Sequence, residues 1–269
     1  MHDPADDARL LDELATLCVE AGRAILDVYE GPAIASRAKD DRSPVTDADE
    51  RAEAILISGL ARIFPEVPVI AEESASRDGV PAAAPETFLL VDPLDGTREF
   101  LAKNGEFTVN VGLVDKGRPV LGCVFAPALG AIWIGSATVG AKVARAAIRQ
   151  DPAPDAWTEI SVRKAPEAGL CAVASRSHSD ATTEEFLAKL SVAERRSAGS
   201  SLKFCLVAEG EADVYPRFGP TMEWDTAAGH AVLAAAGGAV LNPDGSEFRY
   251  GKSETGFKNG AFVAWGGRG

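Results

Sequence analysis

The sequence has few of the features that mark zinc sites, disulfide scaffolds or membrane segments. Its four cysteines lie far apart in apolar surroundings and none forms a CxxC pair, so we expect buried thiols rather than a zinc or redox site. No apolar run approaches the roughly 20 residues that span a bilayer. The N-terminus is acidic and amphipathic, unlike a signal or transit peptide. We therefore expect a cytoplasmic protein without an integral membrane segment.

Basic residues are scarce relative to acids. The 269 residues include 27 Lys and Arg against 40 Asp and Glu, a formal net charge of −13. This balance argues against nucleic-acid polymers and anionic membranes as partners. An acidic protein can still bind a small anion if metal cations supply the missing positive charge. Because no repeat or coiled-coil seam indicates an interface, a monomer and a homodimer both remain open.

Apolar periodicity predicts an α/β (α+β) protein in two halves. Helical spacing predicts one helix from about Ala8 to Tyr29 and a second that starts after Asp47 or Asp49 and runs through Ile63, with a loop between them. Buried strands follow, first VPVIAEES and TFLLVDP and then antiparallel strands joined by turns. Residues 75–86 are predicted to be a mobile connection, and a flap near the site.

The Pro-rich stretch QDPAPDAW is the candidate boundary between the halves. It divides an α+β half, residues 1–150, which carries most of the candidate site, from an α/β half, residues 151–269. Strands and helices alternate in the second half, which predicts a layered arrangement. The predicted helices there are TTEEFLAKL, SSLKFCLVAEG and DTAAGHAVLAAAGG.

Acidic residues gather in four clusters: TDAD (46–49), AEES (71–74), DPLDGT (92–97) and EWDTAAG (223–229). Singly, each has a structural explanation. Asp47, Asp49 or Asp225 could cap a helix, Glu72 and Glu73 could be solvated, and the dipeptide at 95–96 could be a hairpin turn.

Taken together, the clusters favour a metal site. Glu72 and Asp92 each follow an apolar strand, and strand ends are where open α/β sheets bind ligands. Carboxylates brought close together repel one another unless a cation lies between them. Oxygen ligands without His or Cys nearby select Mg²⁺ or Mn²⁺.

DPLDGT adds chemistry of its own. Pro93 fixes the local φ, so that the carbonyl of Leu94 can face the same ion as the carboxylates. Gly96 allows close approach of a ligand, and with Thr97 it could open a short helix whose amides bind phosphate. The Thr97 hydroxyl could orient a water. The stretch therefore predicts a metal-assisted phosphate-ester hydrolase.

Glu-Glu-Ser, Asp-Pro-Leu-Asp-Gly-Thr and Trp-Asp-Thr-Ala-Ala-Gly, in this order, resemble the inositol monophosphatase superfamily of Mg²⁺-dependent, lithium-sensitive phosphatases. The resemblance runs from the first helix to the last strand and implies a layered αβαβα sandwich with the active site between the halves. Within the superfamily, NGEFTVNVGLV, SRSH and GSSLKFCLVAEGEADVYPRFGP are similar to the bacterial 3′(2′),5′-bisphosphate nucleotidases. Those enzymes remove the 3′-phosphate of adenosine 3′,5′-bisphosphate, a by-product of sulfate assimilation, leaving AMP.

The resemblance also implies the metal ligands. Two or three Mg²⁺ ions are expected, with Mn²⁺ as a substitute and Li⁺ as an inhibitor. One ion would bind Glu72, Asp92 and the Leu94 carbonyl, and a second would lie between Asp92, Asp95 and Asp225. The catalytic residues would be Glu72, Asp49, which holds a further ion through water, and Thr97, which positions the attacking water.

Substrate contacts are implied in the second half. Ser200, Lys203 and Arg217 match positions that bind the phosphate remote from the chemistry, and His178 matches one that stacks on adenine. Gly96 and Thr97 would contact the reacting phosphate. Without the resemblance, His178 is a surface or capping residue and Lys203 a solvated helix charge. Arg98 stands where many such nucleotidases carry Lys, so no phosphate contact is assigned to it.

Two other functions remain. An inositol-1-monophosphatase or a broad sugar-phosphate phosphatase would share every metal ligand. A non-catalytic binding protein on the same fold would have no need to keep them all.

Overall fold

The computed structural model describes residues 3–31, 36–38, 44–145, 149–153, 155–175 and 181–267. Within these ranges the chain forms seven α-helices and fourteen β-strands. They stack as five layers: helices, a seven-stranded sheet, helices, a five-stranded sheet and a helix.

Two long helices form the first layer. Helix α1 (Pro4–Tyr29) begins with Asp3 as its N-cap, whose Oδ1 accepts a 2.8 Å hydrogen bond from Ala5 N. Strands β1 (Ser36–Ala38) and β2 (Pro44–Thr46) then pair antiparallel where the composition predicted only a loop. Helix α2 (Asp47–Ile63) follows immediately. Helix α1 thus begins four residues before the predicted Ala8, and α2 begins at Asp47 itself rather than after it.

The seven-stranded sheet follows chain order. Its strands are β3 (Val69–Ala71), β4 (Thr87–Asp95), β5 (Thr108–Asp115), β6 (Arg118–Ala126), β7 (Ala131–Ser136), β8 (Gly140–Arg145) and β9 (Trp157–Ile160). Strands β3 and β4 are parallel and the other neighbours are antiparallel. Helices α3 (Glu72–Asp78) and α4 (Thr97–Leu101) follow β3 and β4, and a 3₁₀ turn at Pro127–Leu129 joins β6 to β7.

The five-stranded sheet lies in the second half. Its strands are β10 (Leu170–Ala174), β11 (Val192–Ser197), β12 (Val214–Arg217), β13 (Ala239–Leu241) and β14 (Phe262–Trp265), in the order β11-β10-β12-β14-β13. The helices of this half are α5 (Ala181–Leu187), α6 (Leu202–Ala208) and α7 (Ala227–Ala235). Strand β9 belongs to the first sheet, so the change of sheet falls between β9 and β10. The division of the chain at residue 150 stays a prediction about domains.

Buried side chains fill the spaces between the layers in three clusters. One lies between α1, α2 and the first sheet and includes Leu56 and Val111. The second, between the two sheets, includes Phe204 of α6 and Val232 of α7. The third lies on the outer face of the second sheet and includes Leu187 of α5. The predicted αβαβα sandwich is confirmed.

A row of glycines lets α7 lie close against the first sheet. Gly112 pairs with Gly122 on β6, which pairs with Gly135 on β7. A Cβ at Gly122 would lie 2.4 Å from the carbonyl oxygen of Ala228, and one at Gly135 would lie 2.9 Å from the Ala235 side chain. These distances are too short for a side chain, so the row sets the position of α7 and of the turn that precedes it.

Candidate active site

A β-bulge at the end of β4 brings Asp92 and Asp95 to one side of the strand. In a regular strand, residues three apart point to opposite faces. Here Asp92 pairs with Asn110 and Asp95 pairs with Thr108, so β4 carries one extra residue between them. The extra residue reverses the alternation, and both carboxylates line the same cavity. Pro93 is tolerated because a bulged position does not need a ladder N–H.

Gly96 lies between the end of β4 and the start of α4. Its φ of 93° lies in the left-handed region, and it is the N-cap of α4. The hairpin interpretation of residues 95–96 is therefore wrong, whereas the short helix predicted after Gly96 is present. The left-handed φ turns the chain from the strand into the helix, with Gly96 itself on the cavity wall.

Glu72 is the first residue of α3, not the end of a strand as predicted. The N-cap of α3, Ala71, makes no side-chain capping bond. The buried Glu53 of α2 supplies the missing acceptor, because its carboxylate accepts 2.7 Å from the Glu73 N–H and 2.6 Å from the Ser74 hydroxyl. This contact holds the start of α3, where Glu72 lines the cavity. Glu53 was not predicted as a site residue, and its only signal was an acid among the mostly apolar residues on the buried face of α2.

Asp225 lies in the turn before α7. Its Oδ2 accepts a 2.8 Å hydrogen bond from Met222 N, and its carbonyl accepts one of 2.9 Å from the Ser201 hydroxyl. The N-cap of α7 is Thr226, so the capping interpretation of Asp225 is wrong. Asp225 instead lines the same cavity as Glu72.

Asp49 and Thr97 meet at the base of this region. Asp49 is at the third position of α2 in a capping box: its Oδ2 accepts from Thr46 N at 2.8 Å and from the Thr46 hydroxyl at 2.7 Å. The cap itself is Thr46, which corrects the prediction that Asp47 or Asp49 caps the helix. The Thr97 hydroxyl lies 3.4 Å from Asp49 Oδ1 and 3.4 Å from the Leu94 carbonyl oxygen. Burial raises the pKa of Asp49 to about 6, against the hydrogen bonds from Thr46.

The remaining carboxylates repel one another. Burial, and then the charges of Glu72, Asp95 and Asp225, raise the pKa of Asp92 well above its usual range. Burial raises the pKa of Asp95 to about 6, opposed by the charge of Lys203. Burial and the charges of Asp95 and Glu72 also raise the pKa of Asp225. A nearby cation strongly stabilises the ionised form of such acids.

The cations predicted to bind the second phosphate come from the second half. Lys203 is only 4% exposed, and its Nζ donates to the carbonyl oxygens of Ser200 at 2.7 Å and Ala198 at 3.2 Å. Burial lowers its pKa to about 8. Arg217 donates 3.1 Å to the Pro220 carbonyl. Its Nε is buried and has no hydrogen-bond partner among the described residues, which is uncommon for a buried donor.

Acids and cations share one cavity of about 640 Å³. It is lined by predicted residues from four separate parts of the chain, namely Glu72, Asp92, Leu94, Asp95, Gly96, Thr97, Ser200, Lys203, Arg217 and Asp225. In their present orientations, no three His, Cys, Asp or Glu side chains among the described residues could hold a metal ion. Asp92 and Asp225 instead each accept a hydrogen bond from a backbone N–H with one carboxylate oxygen.

Three predictions concern the edges of the site. His178, predicted to contact adenine, lies outside the described residues. Of the predicted connection 75–86, residues 75–78 are the last part of α3, and Ala75 and Val80 pack against the core and line the cavity. Residues 76–79 and 81–83 of the connection are exposed, and its mobility stays a prediction. Arg98 also lines the cavity.

The chain belongs to the inositol monophosphatase family, whose model matches residues 6–263. It is 45% identical over 263 residues to the 3′(2′),5′-bisphosphate nucleotidase CysQ of Escherichia coli (strain K12), a match that covers 94% of this chain and 98% of that protein. It is 43% identical over 255 residues to the CysQ of Salmonella typhimurium, with 94% and 98% covered.

A solved structure agrees with these relatives. The crystal structure of CysQ from Bacteroides thetaiotaomicron, described as a bacterial member of the inositol monophosphatase family, superimposes with a TM-score of 0.79 at 36% identity and covers 98% of each chain. The predicted family and fold are thus confirmed. None of the helices in the described ranges is long and apolar enough to cross a membrane.

Proposed function

We propose that the protein is a metal-dependent 3′(2′),5′-bisphosphate nucleotidase that hydrolyses the 3′-phosphate of adenosine 3′,5′-bisphosphate to give AMP and phosphate. The observation that carries the proposal is the cavity in which an acidic cluster faces Lys203 and Arg217, whose Nε has no hydrogen-bond partner among the described residues. A substrate with two phosphates matches this division, because one phosphate needs metal ions and the other needs cationic side chains.

Family membership suggests a divalent metal, and the donor chemistry of the cavity fits one. Carboxylate and carbonyl oxygens without His or Cys favour Mg²⁺, with Mn²⁺ as a substitute. We assign Glu72, Asp92, Asp95, Asp225 and the Leu94 carbonyl as the groups that would hold the ion. A bound divalent ion would activate water and neutralise phosphate charge. Li⁺ is expected to inhibit.

The residues of the chain divide the remaining work. The Thr97 hydroxyl, which lies within reach of Asp49, orients the attacking water. Asp49 accepts a proton from that water. Gly96 lets the reacting phosphate approach the backbone. Lys203 and Arg217 hold the second phosphate, with Arg217 suited to a two-point contact. Ser200 shapes this end of the cavity, and His178 is assigned to adenine.

A substrate panel tests the proposal. With Mg²⁺, kcat/KM for adenosine 3′,5′-bisphosphate should exceed that for inositol 1-phosphate and for fructose 1,6-bisphosphate, and chelation of the metal should stop turnover. A higher kcat/KM for inositol 1-phosphate would make the protein an inositol monophosphatase instead. No hydrolysis of any of them would favour a binding protein. A role in sulfate assimilation and a cytoplasmic location follow from this proposed activity.

A further inference from the structure

Glu223 belongs to one of the four acidic clusters, yet it does not line the cavity. Its side chain is fully buried, at 0% exposure, two residues before Asp225. Oε2 accepts a 2.8 Å hydrogen bond from Gly251 N, and Oε1 accepts from Lys252 N at 3.0 Å and Lys252 Nζ at 2.9 Å. All these donors belong to one loop, residues 249–259.

The same loop contacts the turn at further points. Glu223 N donates 2.9 Å to the Phe257 carbonyl. Asn259 Nδ2 lies 2.7 Å from the Met222 carbonyl and 3.1 Å from the Thr226 hydroxyl. Lys252 Nζ links the two sets, because it also donates 3.2 Å to Asn259 Oδ1. The turn around Asp225 is therefore fixed by the loop through residues on both sides of it.

This ion pair is an expensive way to fill the space, because the Glu223 side chain is fully buried although that of Lys252 is 24% exposed. Removing a charge from water costs several kcal/mol, and a packed apolar pair of similar size is often as stable. What the pair supplies is geometry, since the carboxylate accepts three directed hydrogen bonds and leaves little freedom of rotation. The backbone of Met222, whose N–H binds Asp225 Oδ2, is held by Asn259, and Asn259 in turn accepts a hydrogen bond from Lys252 Nζ.

We propose that Glu223 and Lys252 are positioning residues: they hold Asp225 in place for the metal without binding it themselves. This inference rests on the proposed function, in which Asp225 is a metal ligand. Residues that orient metal ligands in this way affect metal affinity or activity by about 10–100-fold when they are changed.

The test compares Glu223→Gln with Glu209→Gln. Gln has the shape of Glu but places an amide group against donors of the loop. Glu209 is a matched control, because its nearly buried carboxylate also accepts from an N–H, that of Trp133 at 2.7 Å, and from a cation, Arg145 at 2.7 Å, outside the cavity lining. Mn²⁺ binding to the metal-free proteins is measured by titration calorimetry, and kcat and KM with adenosine 3′,5′-bisphosphate in parallel.

We expect Glu223→Gln to weaken Mn²⁺ binding by about 10–100-fold and to lower kcat at subsaturating Mg²⁺, with KM for the nucleotide little changed. Glu209→Gln should keep Mn²⁺ affinity and kcat within about twofold of the wild-type values, because a structural ion pair outside the cavity lining is not coupled to the site. Equal losses in both variants, or unchanged Mn²⁺ affinity in folded Glu223→Gln, would overturn the inference.

Lys252 gives a second test if Glu223→Gln does not fold. Lys252→Met should weaken Mn²⁺ binding in the same direction, and Lys252→Arg should restore it by keeping the charge beside Glu223. Wild-type Mn²⁺ affinity in Lys252→Met would overturn the inference and leave the proposed function standing. Wild-type protein that neither binds Mn²⁺ nor hydrolyses the nucleotide would overturn both.

Discussion

The Ser200 hydroxyl lies 2.7 Å from the carbonyl oxygen of Asp95, across 105 positions of sequence. It also lies 2.8 Å from the Glu106 carbonyl. Ser200 itself has a positive φ of 49°. The contact joins the end of β4 to the loop before α6, and so it joins the acidic part of the cavity to the part that carries Lys203.

Gly96→Ala should break this junction. A Cβ at Gly96 would lie 2.2 Å from Ser200 Oγ, and the φ of 93° is costly for any side chain. We expect a loss of stability of about 1–3 kcal/mol and a larger loss of activity. Gly245→Ala is the control, because Gly245 has a φ of 85° and nothing within 4 Å of the added Cβ. Gly245→Ala should lose a similar free energy of unfolding because of its positive φ, but it should keep kcat. Thermal unfolding and phosphate release measure the two effects, and equal activity in both variants would contradict the expectation.

Asp95→Asn should stabilise the metal-free protein while it abolishes hydrolysis. Burial raises the pKa of Asp95 to about 6, above its unfolded value, so the ionised carboxylate destabilises the fold at neutral pH. A gain of about 1 kcal/mol corresponds to a rise in Tm of about 2–4 °C for a domain of this size. Turnover should fall by more than the ~100-fold typical of residues that only orient ligands.

Scanning calorimetry in EDTA and then in Mg²⁺ separates these contributions to Asp95→Asn. Mg²⁺ should raise the Tm of the wild type more than that of the variant. A metal-free variant with a lower Tm than the wild type would show that Asp95 is needed for folding rather than for the metal.

Lys203→Met should discriminate between substrates. A hydrogen bond to a charged group contributes about 1.5–3 kcal/mol, so kcat/KM for adenosine 3′,5′-bisphosphate should fall by about 10–150-fold on the ordinary conversion of free energy to rate. Hydrolysis of p-nitrophenyl phosphate, which has no second phosphate, should change little. Steady-state kinetics on both substrates measure the ratio. Equal losses on the two would remove Lys203 from the specificity assignment and leave it a structural residue.

His230 should make stability depend on pH. It is buried on α7 with its Nδ1 3.1 Å from the Tyr250 hydroxyl, and burial lowers its pKa to about 3. A histidine whose pKa is lowered in the fold makes its full contribution to stability above the unfolded pKa of about 6.5. That contribution is lost as the pH falls toward 3, because the unfolded chain binds the proton first. The loss is about 1.4 kcal/mol per pH unit in that window.

The comparison with His230→Gln isolates this contribution from that of the carboxylates. Urea unfolding at pH 7.5, 6, 5 and 4 in EDTA should show that wild type loses its advantage over the variant as the pH falls. Parallel pH dependences for the two proteins would mean that His230 binds its second proton in the folded state as readily as in the unfolded chain.

Much of the site was predictable because acids that follow apolar strands are uncommon enough to be noticed. Asp92 and Asp95 were found in this way, and the cavity joins them to Asp225 and Lys203. What the pattern does not contain is orientation. The bulge that turns Asp95 to the same side as Asp92 depends on pairing with β5, and no local rule places it.

Supporting residues were harder to predict than ligands. Glu53 acts on a helix 20 positions away, and the acid alone does not indicate which backbone amide it will bind. Strand β11, with the sequence VAERRS, was missed because it is an exposed edge with charged side chains and so lacks an apolar pattern. Capping was misassigned at Asp49 because a threonine and an acid three positions later form the cap together.

The glycine row beneath α7 has a consequence for synthesis of the protein. Strands β5, β6 and β7 are complete once residue 136 has been made, but the helix that covers their glycine face begins only at Ala227. Until then this face of the sheet lacks its covering helix. Surface that is exposed in this way during folding is prone to aggregation. A helix from the last sixth of the chain therefore covers strands that are made in its middle third.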